Sequence, residues 1–372
     1  MRPHLILLDA LRGIAALIVL CYHLYEGFGY EVAAGTGIYT QPIDHGYLAV
    51  DFFFLLSGFV IGYAYDHRWR QGLTPRPFAL RRLVRLHPMV IAGAVPGLIA
   101  FLLQGGTNWQ GEQAGALWVT TAFVAALLLM PLWPGFGGDV RGNGEMYPLN
   151  GPHWSLFFEY IGNVLYALLL RRLPTRWLTV LTVASSCALG YAVLRQGYLG
   201  MGWTLTDGGF WWGSVRMLFP YCLGMLMARH FMRREHPLLP FRRTFLLTAA
   251  ALLITLPVPF VGTPQQPWQN GLYIMVLLTV VFPLVVWCAA CAGTSSDRAA
   301  TLLGDLSYPL YTVHYPLMYL FYAYIGFPAP SVTMADVWPV ALVVAACSLV
   351  LAWLLMRYYD APLRRRLVKR LS

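Results

Sequence analysis

The sequence predicts an all-α polytopic membrane protein with about ten transmembrane helices and with both termini in the cytoplasm. Three observations support this fold class. Hydrophobic residues make up 58% of the 372 residues and charged residues only 11%, whereas soluble domains carry about 25% charged residues. Apolar runs long enough to cross a hydrocarbon core of ~30 Å recur along the whole chain. The basic residues, all arginine except Lys369, form short clusters between these runs, as the positive-inside rule describes.

The number of crossings follows from the apolar runs and the arginine clusters. Eleven runs are present, near residues 5–25, 46–65, 86–104, 114–133, 153–170, 176–194, 211–229, 244–262, 271–292, 301–325 and 337–357. Arginine clusters place residues 66–85 and 171–176 in the cytoplasm, so an even number of crossings must separate them. Three runs lie between these segments. We interpret the weakest, 114–133, as re-entrant or interfacial, because Gly-rich polar segments flank it. Ten crossings then remain of the eleven runs.

The chain is expected to form a single membrane domain over residues 1–372, because no low-complexity linker divides it. Asp9 and Arg12 interrupt the first apolar run and no small-residue cleavage site follows, so we expect a retained helix rather than a signal peptide. The six cysteines lie within apolar runs, which argues against a disulfide framework. The net charge is +10, but the basic residues lie in clusters between the apolar runs, as membrane topology requires. No nucleic-acid partner is therefore expected.

Ionisable residues within the apolar runs are the candidate functional residues, because a charge at mid-bilayer costs at least ~2.5 kcal/mol. From the predicted helix directions, a first group is expected to converge in the outer half of the membrane: His23, Asp51, Glu159, Arg216 and His314. A second group is expected at the inner face: Arg12, Arg82 and Arg85. The sequence therefore predicts two polar zones stacked along the membrane normal.

These residues also have purely structural interpretations. A histidine near a helix end can extend towards the headgroups, and Asp51 can be a helix N-terminal residue favoured by the helix dipole. The two arginines at 82 and 85 can serve as topology determinants. Glu159 and Arg216 can form a structural ion pair. Single residues therefore do not decide the function.

Five motifs, taken in order, resemble the membrane acyltransferase-3 family, the integral-membrane O-acyltransferases of bacterial polysaccharides and related glycans. They are Arg12 with ten residues before His23, Asp51 with Phe53–Phe59, Arg82-Leu83-Val84-Arg85, Trp154-Ser155-Leu156 up to Glu159, and Ser307-Tyr308 up to His314 and Pro316. Each motif is weak alone, but the ordered set covers nearly the whole chain. The closing motif departs from the family pattern, with Asp360 where Glu is usual.

The resemblance implies transfer of an acyl group, usually acetyl, from cytoplasmic acyl-CoA to a hydroxyl of a saccharide, polysaccharide precursor or lipid-linked glycan at the outer side of the membrane. The bacterial inner membrane is the implied location. Acyl-CoA is the implied co-substrate, with no permanently bound cofactor and no metal. Bidentate arginine suits phosphate, so Arg82 and Arg85, which share a helix face, are expected to bind the CoA phosphates. Arg12 is expected to guide the pantetheine arm or polarise the acyl carbonyl.

A sugar hydroxyl is a poor nucleophile at neutral pH and needs a base, a task that suits histidine because its unperturbed pKa of about 6.5 lies near operating pH. We expect His23 to deprotonate the acceptor, with Glu159 or Asp51 orienting its ring. Direct attack on the thioester and a covalent acyl-enzyme are both open. In the second route the nucleophile would be Ser57, Ser155 or His23 itself.

A proton-coupled secondary transporter is the alternative function, because several spans with buried His, Asp, Glu and Arg also suit transport. Against it stands the absence of a visible repeat and of paired broken helices at mid-depth. The outer loops 26–45 and 134–152 are rich in Tyr, Gly and Asn and suit many glycans. The sequence therefore names no particular acceptor.

Overall fold

A computed structural model of the protein describes residues 4–36, 41–133, 138–206, 208–263, 265–293 and 297–371. Within these ranges the protein is built of helices and contains no β-sheet, which confirms the all-α class. The helices are α1 (Ile6–Thr36), α2 (Ala49–Arg70), α3 (Pro75–Leu103), α4 (Ala116–Leu128), α5 (His153–Leu168), α6 (Thr175–Gln196), α7 (Gly209–Phe231), α8 (Phe241–Thr255), α9 (Pro267–Val276), α10 (Phe282–Ala290), α11 (Arg298–Ile325), α12 (Met334–Leu355) and α13 (Ala361–Leu371). Two π-helical turns, Leu277–Val281 and Met356–Asp360, join α9 to α10 and α12 to α13.

The protein is an integral membrane protein with several spanning helices. In the described part of the chain, six helical stretches are long and apolar enough to cross a bilayer: Ile6–Phe28, Gly46–Arg70, Pro75–Leu103, Thr175–Gln196, Pro267–Ala290 and Met334–Lys369. Helices α7 and α11 have 23 and 28 residues, with a more polar and aromatic composition. Helices α5 and α8 have 16 and 15 residues, fewer than the ~20 of a typical span. The count of ten crossings stays a prediction.

The run at 114–133 forms one short helix, α4, of 13 residues. At ~1.5 Å of rise per residue it covers roughly 20 Å, less than a hydrocarbon core of ~30 Å. Its apolar side chains point away from the bundle, with Leu117 71% and Leu128 57% exposed, and its neighbour in the bundle is α3. This length agrees with a re-entrant or interfacial helix.

Glycines allow two helix pairs, α1 with α11 and α2 with α7, to cross at close range. A methyl group added at Gly58 of α2 would lie 2.0 Å from the carbonyl oxygen of Tyr221, and one at Gly224 of α7 would lie 2.2 Å from a carbonyl oxygen of α2. A methyl group at Gly13 of α1 would lie 2.3 Å from the carbonyl oxygen of Leu303. Small residues let helix backbones approach closely in membranes. Close packing of α2 against α7 therefore explains why the second-helix motif has a glycine at position 58.

Replacing Gly58 with alanine is expected to destabilise the protein, because the new methyl group would meet backbone atoms of α7 that cannot move aside. Overpacking of this kind costs about 1–3 kcal/mol or more. We expect a lower unfolding temperature, measured by intrinsic fluorescence of the purified protein in detergent. Gly190→Ala in α6 is the control, since its methyl group would first meet the flexible end of Met275 at 3.4 Å. Equal unfolding temperatures for the two variants would contradict the close α2–α7 crossing.

The segment that precedes α5 enters the bundle instead of staying at its surface. Asn150 is fully buried, and its Nδ2 donates to the carbonyl oxygens of Gly93 at 3.1 Å and Thr312 at 2.8 Å. The Thr312 carbonyl needs this partner because the residue four positions later is Pro316, which has no N–H to donate. Helix α5 therefore begins inside the bundle, between the middles of α3 and α11.

Candidate active site

Two cavities lie towards opposite ends of the helix bundle and share the lining residues Val50 and Tyr311. The first, called the inner cavity, lies near the N-terminal end of α1 and has a volume of about 220 Å³. The second, called the outer cavity, lies farther along α1 and has a volume of about 290 Å³. The two names follow the orientation predicted from the arginine clusters. Groups bound in the two cavities come close together at the shared residues.

The inner cavity is lined by charged side chains. The structure brings the three arginines of the predicted inner zone together here, since Arg12, Arg82 and Arg85 all line it. Arg12 Nη1 donates to Asp9 Oδ1 at 2.7 Å, and His4 Nε2 lies 2.9 Å from Asp9 Oδ2. The hydrogen bond to Asp9 raises the pKa of His4 above its ordinary value. Among the described residues, four carboxylates, those of Asp9, Glu159, Asp305 and Asp360, also line the cavity, so its four arginines are balanced by four acidic residues.

Glu159 also lies in the inner cavity, so its expected place beside His23 is wrong. Glu159 Oε1 accepts hydrogen bonds from Arg82 Nη2 at 2.9 Å and from Ser57 Oγ at 3.0 Å. The physical reason is the buried segment that ends at Asn150, because it moves the start of α5 inward from the surface. A structural ion pair between Glu159 and the arginine of α7 is absent, since Arg82 takes that position.

Asp51 and Arg216 form a buried bidentate ion pair that joins α2 to α7. Arg216 Nε donates to Asp51 Oδ1 at 3.0 Å and Nη2 donates to Oδ2 at 2.8 Å, with the side chains 0% and 3% exposed. The Arg216 guanidinium lies 4.9 Å from the ring centroid of Trp154 and lines the outer cavity. Asp51 binds Arg216 and does not contact His23, so its expected role in orienting the His23 ring is wrong.

Glu26 orients the His23 ring, and the sequence analysis missed this residue. His23 Nδ1 lies 2.6 Å from Glu26 Oε2, and the hydroxyls of Tyr322 and Tyr315 lie 3.0 and 3.3 Å from the same oxygen. An ionised carboxylate only accepts hydrogen bonds, so Nδ1 carries the proton and Nε2 keeps its lone pair. A histidine held in this tautomer by a carboxylate is the arrangement of a general base. The i,i+3 spacing on one helix was the available signal, but Glu26 had been placed in the outer loop.

His314 lies beside His23, as the sequence predicted, with 5.3 Å between the ring centroids. Its Nδ1 donates to the carbonyl oxygen of Leu310 at 2.9 Å, which leaves Nε2 as an acceptor. That nitrogen is buried and has no hydrogen-bond partner in the described part of the chain. The structure therefore places two imidazole rings together next to the outer cavity.

Aromatic side chains form much of the outer cavity wall. They include Tyr22, Tyr47, Trp154, Tyr198, Trp203 and Tyr315. The polar groups are few, and among them Tyr319 donates to the buried carboxylate of Glu145. The Arg141 guanidinium lies 3.4 Å from the ring centroid of Tyr319 and holds this part of the wall in place. Aromatic faces with a few fixed polar groups are typical of sites for small organic molecules.

The two candidate serine nucleophiles lie near the junction of the cavities but not beside a histidine. Ser57 Oγ donates to Glu159, whereas Ser155 Oγ lies 3.0 Å from the carbonyl oxygen of Pro152 and 2.6 Å from the Tyr311 hydroxyl. An activated serine needs an adjacent base, most often a histidine, and neither hydroxyl is hydrogen-bonded to a histidine. Among the described residues, no group of three or more His, Cys, Asp or Glu side chains is positioned to hold a metal ion.

Comparison with known proteins decides the family to which the chain belongs. A family model described as an acyltransferase domain (acyltransferase 3) matches residues 5–357. The chain belongs to the acyltransferase-3 family. This acyltransferase is 27% identical over 402 aligned positions to the acyltransferase MdmB of Streptomyces mycarofaciens, covering 100% of this chain and 95% of the relative. It is 33% identical over 175 positions to protein 2 of the picA locus of Rhizobium radiobacter, covering 44% of this chain and 80% of the relative.

A third relative is the peptidoglycan O-acetyltransferase OatA of Listeria monocytogenes serovar 1/2a, 24% identical over 381 positions. The match covers 98% of this acyltransferase but 56% of that relative. No solved structure is a significant match. The family and the names of its members establish that the protein is a membrane-bound O-acyltransferase. The resemblance carried by the five motifs is confirmed.

Proposed function

We propose that this acyltransferase moves an acyl group, usually acetyl, from cytoplasmic acyl-CoA to a hydroxyl of a saccharide acceptor at the outer side of the bacterial inner membrane. The observation that carries the proposal is the His23–Glu26 pair, with its 2.6 Å contact, at the wall of the aromatic outer cavity. Ten crossings with both termini in the cytoplasm are part of the proposal, because they put the two cavities on opposite sides. The name of the peptidoglycan O-acetyltransferase among the relatives supports a saccharide acceptor.

The acyl donor enters from the inner side. The inner cavity of about 220 Å³ is smaller than the ~300–1,000 Å³ of usual ligand pockets, so it holds only part of an acyl-CoA molecule. The acyl thioester end is the part that must reach Tyr311 and Val50, where the cavities meet. We assign Arg12 to the pantetheine arm or the acyl carbonyl oxygen, because it lines this cavity beside Asp9.

The acceptor hydroxyl is activated at the outer cavity. His23 Nε2 takes the proton as the hydroxyl oxygen attacks the acyl carbonyl carbon, and the imidazolium is stabilised through Nδ1–H by Glu26. The attack forms a tetrahedral intermediate, and its collapse breaks the C–S bond. The CoA thiolate leaves and takes the proton from the His23 imidazolium, which restores the neutral base. Direct transfer is the favoured route, because neither Ser57 nor Ser155 has a histidine beside it to activate its hydroxyl.

Radiolabelled acetyl-CoA tests this function directly. Purified protein in vesicles is supplied with acetyl-CoA labelled in the acetyl group and with N-acetylglucosamine oligomers or peptidoglycan fragments as acceptors. We expect alkali-labile radiolabel on the saccharide, as an O-ester requires. Accumulation of saccharide or CoA inside the vesicles without esterification would contradict the proposal and favour the proton-coupled transporter.

Glu26→Gln is expected to lower the turnover number on the order of 10²-fold or more, because the amide no longer stabilises the imidazolium or fixes the tautomer. The Michaelis constant for acetyl-CoA is expected to change little, since Glu26 contacts His23 and does not line the donor cavity. The measurement is kcat at saturating substrate, with KM determined separately from rates at varied substrate concentration. Glu235→Gln, at an exposed carboxylate, is the control. An unchanged kcat for Glu26→Gln would remove Glu26 from the mechanism.

A further inference from the structure

A basic groove of about 1060 Å³ adjoins the inner cavity, between α3 and the C-terminal helix α13. Its basic lining residues are Arg81, Arg85, Arg357, Arg364, Arg365 and Lys369. Asp305 is the one acidic residue among the described residues that line it. Arg85, Asp305 and Arg364 line the inner cavity as well. A ligand can therefore extend from the groove into the inner cavity along these shared side chains.

The charge of the groove suits a ligand with several phosphates. Six basic lining residues against one acidic residue leave an excess of five positive charges. Asp360 compensates part of this excess, since Arg364 Nη2 lies 2.9 Å from Asp360 Oδ2. Arginine side chains bind phosphate oxygens in bidentate fashion, and lysine adds a point charge. Arg365 and Lys369 are exposed, and because they are four residues apart on α13 they share a helix face.

One of the two arginines that the sequence analysis assigned to the CoA phosphates, Arg82, is buried beside a carboxylate. Arg82 is 7% exposed, and its Nη2 is bound to Glu159. A phosphate bound there would lie close to the Glu159 carboxylate, whose like charge disfavours it. Arg365 and Lys369 of α13, in contrast, are exposed and line the groove.

The inner cavity and the groove differ in size, so they fit different parts of the acyl-CoA donor. The inner cavity is too small for a whole acyl-CoA, whereas the groove of about 1060 Å³ matches the upper end of ligand pockets, ~1,000 Å³. Tyr358 lines the groove and is 67% exposed, and an aromatic side chain at such a position can stack on a base. Val84 and Met356 add apolar surface beside it.

We propose that this groove binds the 3′-phosphorylated ADP end of the acyl-CoA donor, with Arg365 and Lys369 contacting its phosphates, while the pantetheine arm passes Arg85 into the inner cavity. The assignment rests on the proposed function, in which acyl-CoA is the donor. It adds α13 to the donor site, a helix that lies beyond the matched family region of residues 5–357.

Binding of CoA to the full-length protein in detergent tests the groove. In the double variant Arg365→Gln/Lys369→Gln, we expect the Kd for CoA to rise about tenfold or more, since two charge-assisted contacts with phosphate are lost. 3′-Phosphoadenosine 5′-diphosphate, which is the nucleotide end alone, should displace labelled CoA from the wild type and do so about tenfold less well from the double variant. The charge-conserving variant Arg365→Lys/Lys369→Arg should keep most of the affinity.

Arg366→Gln is the matched control, because Arg366 is exposed on the same helix but does not line the groove. Unfolding temperatures equal to that of the wild type verify that the variants fold. Unchanged CoA affinity in the double variant would overturn the groove assignment, while acetyl transfer by the wild type would still support the proposed function. Failure of the wild type both to bind CoA and to use acetyl-CoA would overturn the two together.

Anionic lipid headgroups also carry phosphate. Binding measured in nanodiscs of defined lipid composition distinguishes a lipid phosphate from the phosphates of CoA. If the groove instead holds a lipid phosphate, the double variant would lose stabilisation by phosphatidylglycerol while its affinity for CoA stays that of the wild type. That result would overturn the proposal. Loss of CoA affinity to the same degree in phosphatidylcholine and phosphatidylglycerol nanodiscs would support it.

Discussion

His23→Ala is expected to lower the turnover number for acetyl transfer on the order of 10³-fold, within the 10²–10⁴-fold range of general base catalysis. The physical reason is that His23 Nε2 is the proton acceptor at the outer cavity, freed for this role by the bond from Nδ1 to Glu26. The Kd for CoA is expected to stay unchanged, because the inner cavity and its arginines are untouched. The rate with labelled acetyl-CoA and the Kd by calorimetry check the two halves of this prediction.

Two further variants make this result specific. His67→Ala, at an exposed histidine of α2, should retain the wild-type rate. The double variant His23→Ala/Glu26→Gln should be about as slow as His23→Ala alone, because residues that act as one unit are not additive. A His23→Ala protein that binds CoA and acetylates the acceptor at the wild-type rate would refute the base assignment.

Asp51→Ala is expected to destabilise the protein by about 3–5 kcal/mol, the cost of leaving a buried charge without its partner. The charge left behind is Arg216, whose side chain is 3% exposed in the native pair. The double variant Asp51→Leu/Arg216→Met should recover much of this loss, because it removes both charges and fills the space with apolar atoms. Unfolding by increasing denaturing detergent measures the differences in free energy.

The control for the ion pair is Glu112→Gln in an exposed loop, for which a change within about 0.5 kcal/mol is expected. An activity assay of the double variant distinguishes a structural role of Arg216 from a catalytic one. A stable double variant that has lost transfer would assign Arg216 a role at the outer cavity, whose wall it joins. A single variant as stable as the wild type would contradict the buried pair.

The parts of the site that the sequence could predict are those set by helix direction and by the rise per residue. Arg12 and His23 are eleven positions apart on one helix, so they lie roughly 16 Å apart along its axis, and they line different cavities. The pairing of His23 with His314 follows in the same way, from two helices that run in opposite directions. Local geometry was sufficient for these residues.

Glu159 could not be placed in this way, because its depth depends on where α5 begins. An apolar pattern gives the length of a helix but not the depth at which it starts. That depth is decided by Asn150, whose bonds to α3 and α11 join residues 57 and 162 positions apart in sequence. Glu26 was missed for a related reason, since α1 continues as a helix through residues that composition assigns to a loop.

The bond from Asn150 to Thr312 also limits how the enzyme can be re-engineered. Exchanging outer loops between relatives is an obvious way to change which acceptor is recognised. In this protein, however, the last part of the 138–152 loop supplies the hydrogen-bond donor that α11 lacks at Pro316. The exchangeable unit therefore ends before Asn150, and a graft that includes it would alter the helix that carries His314.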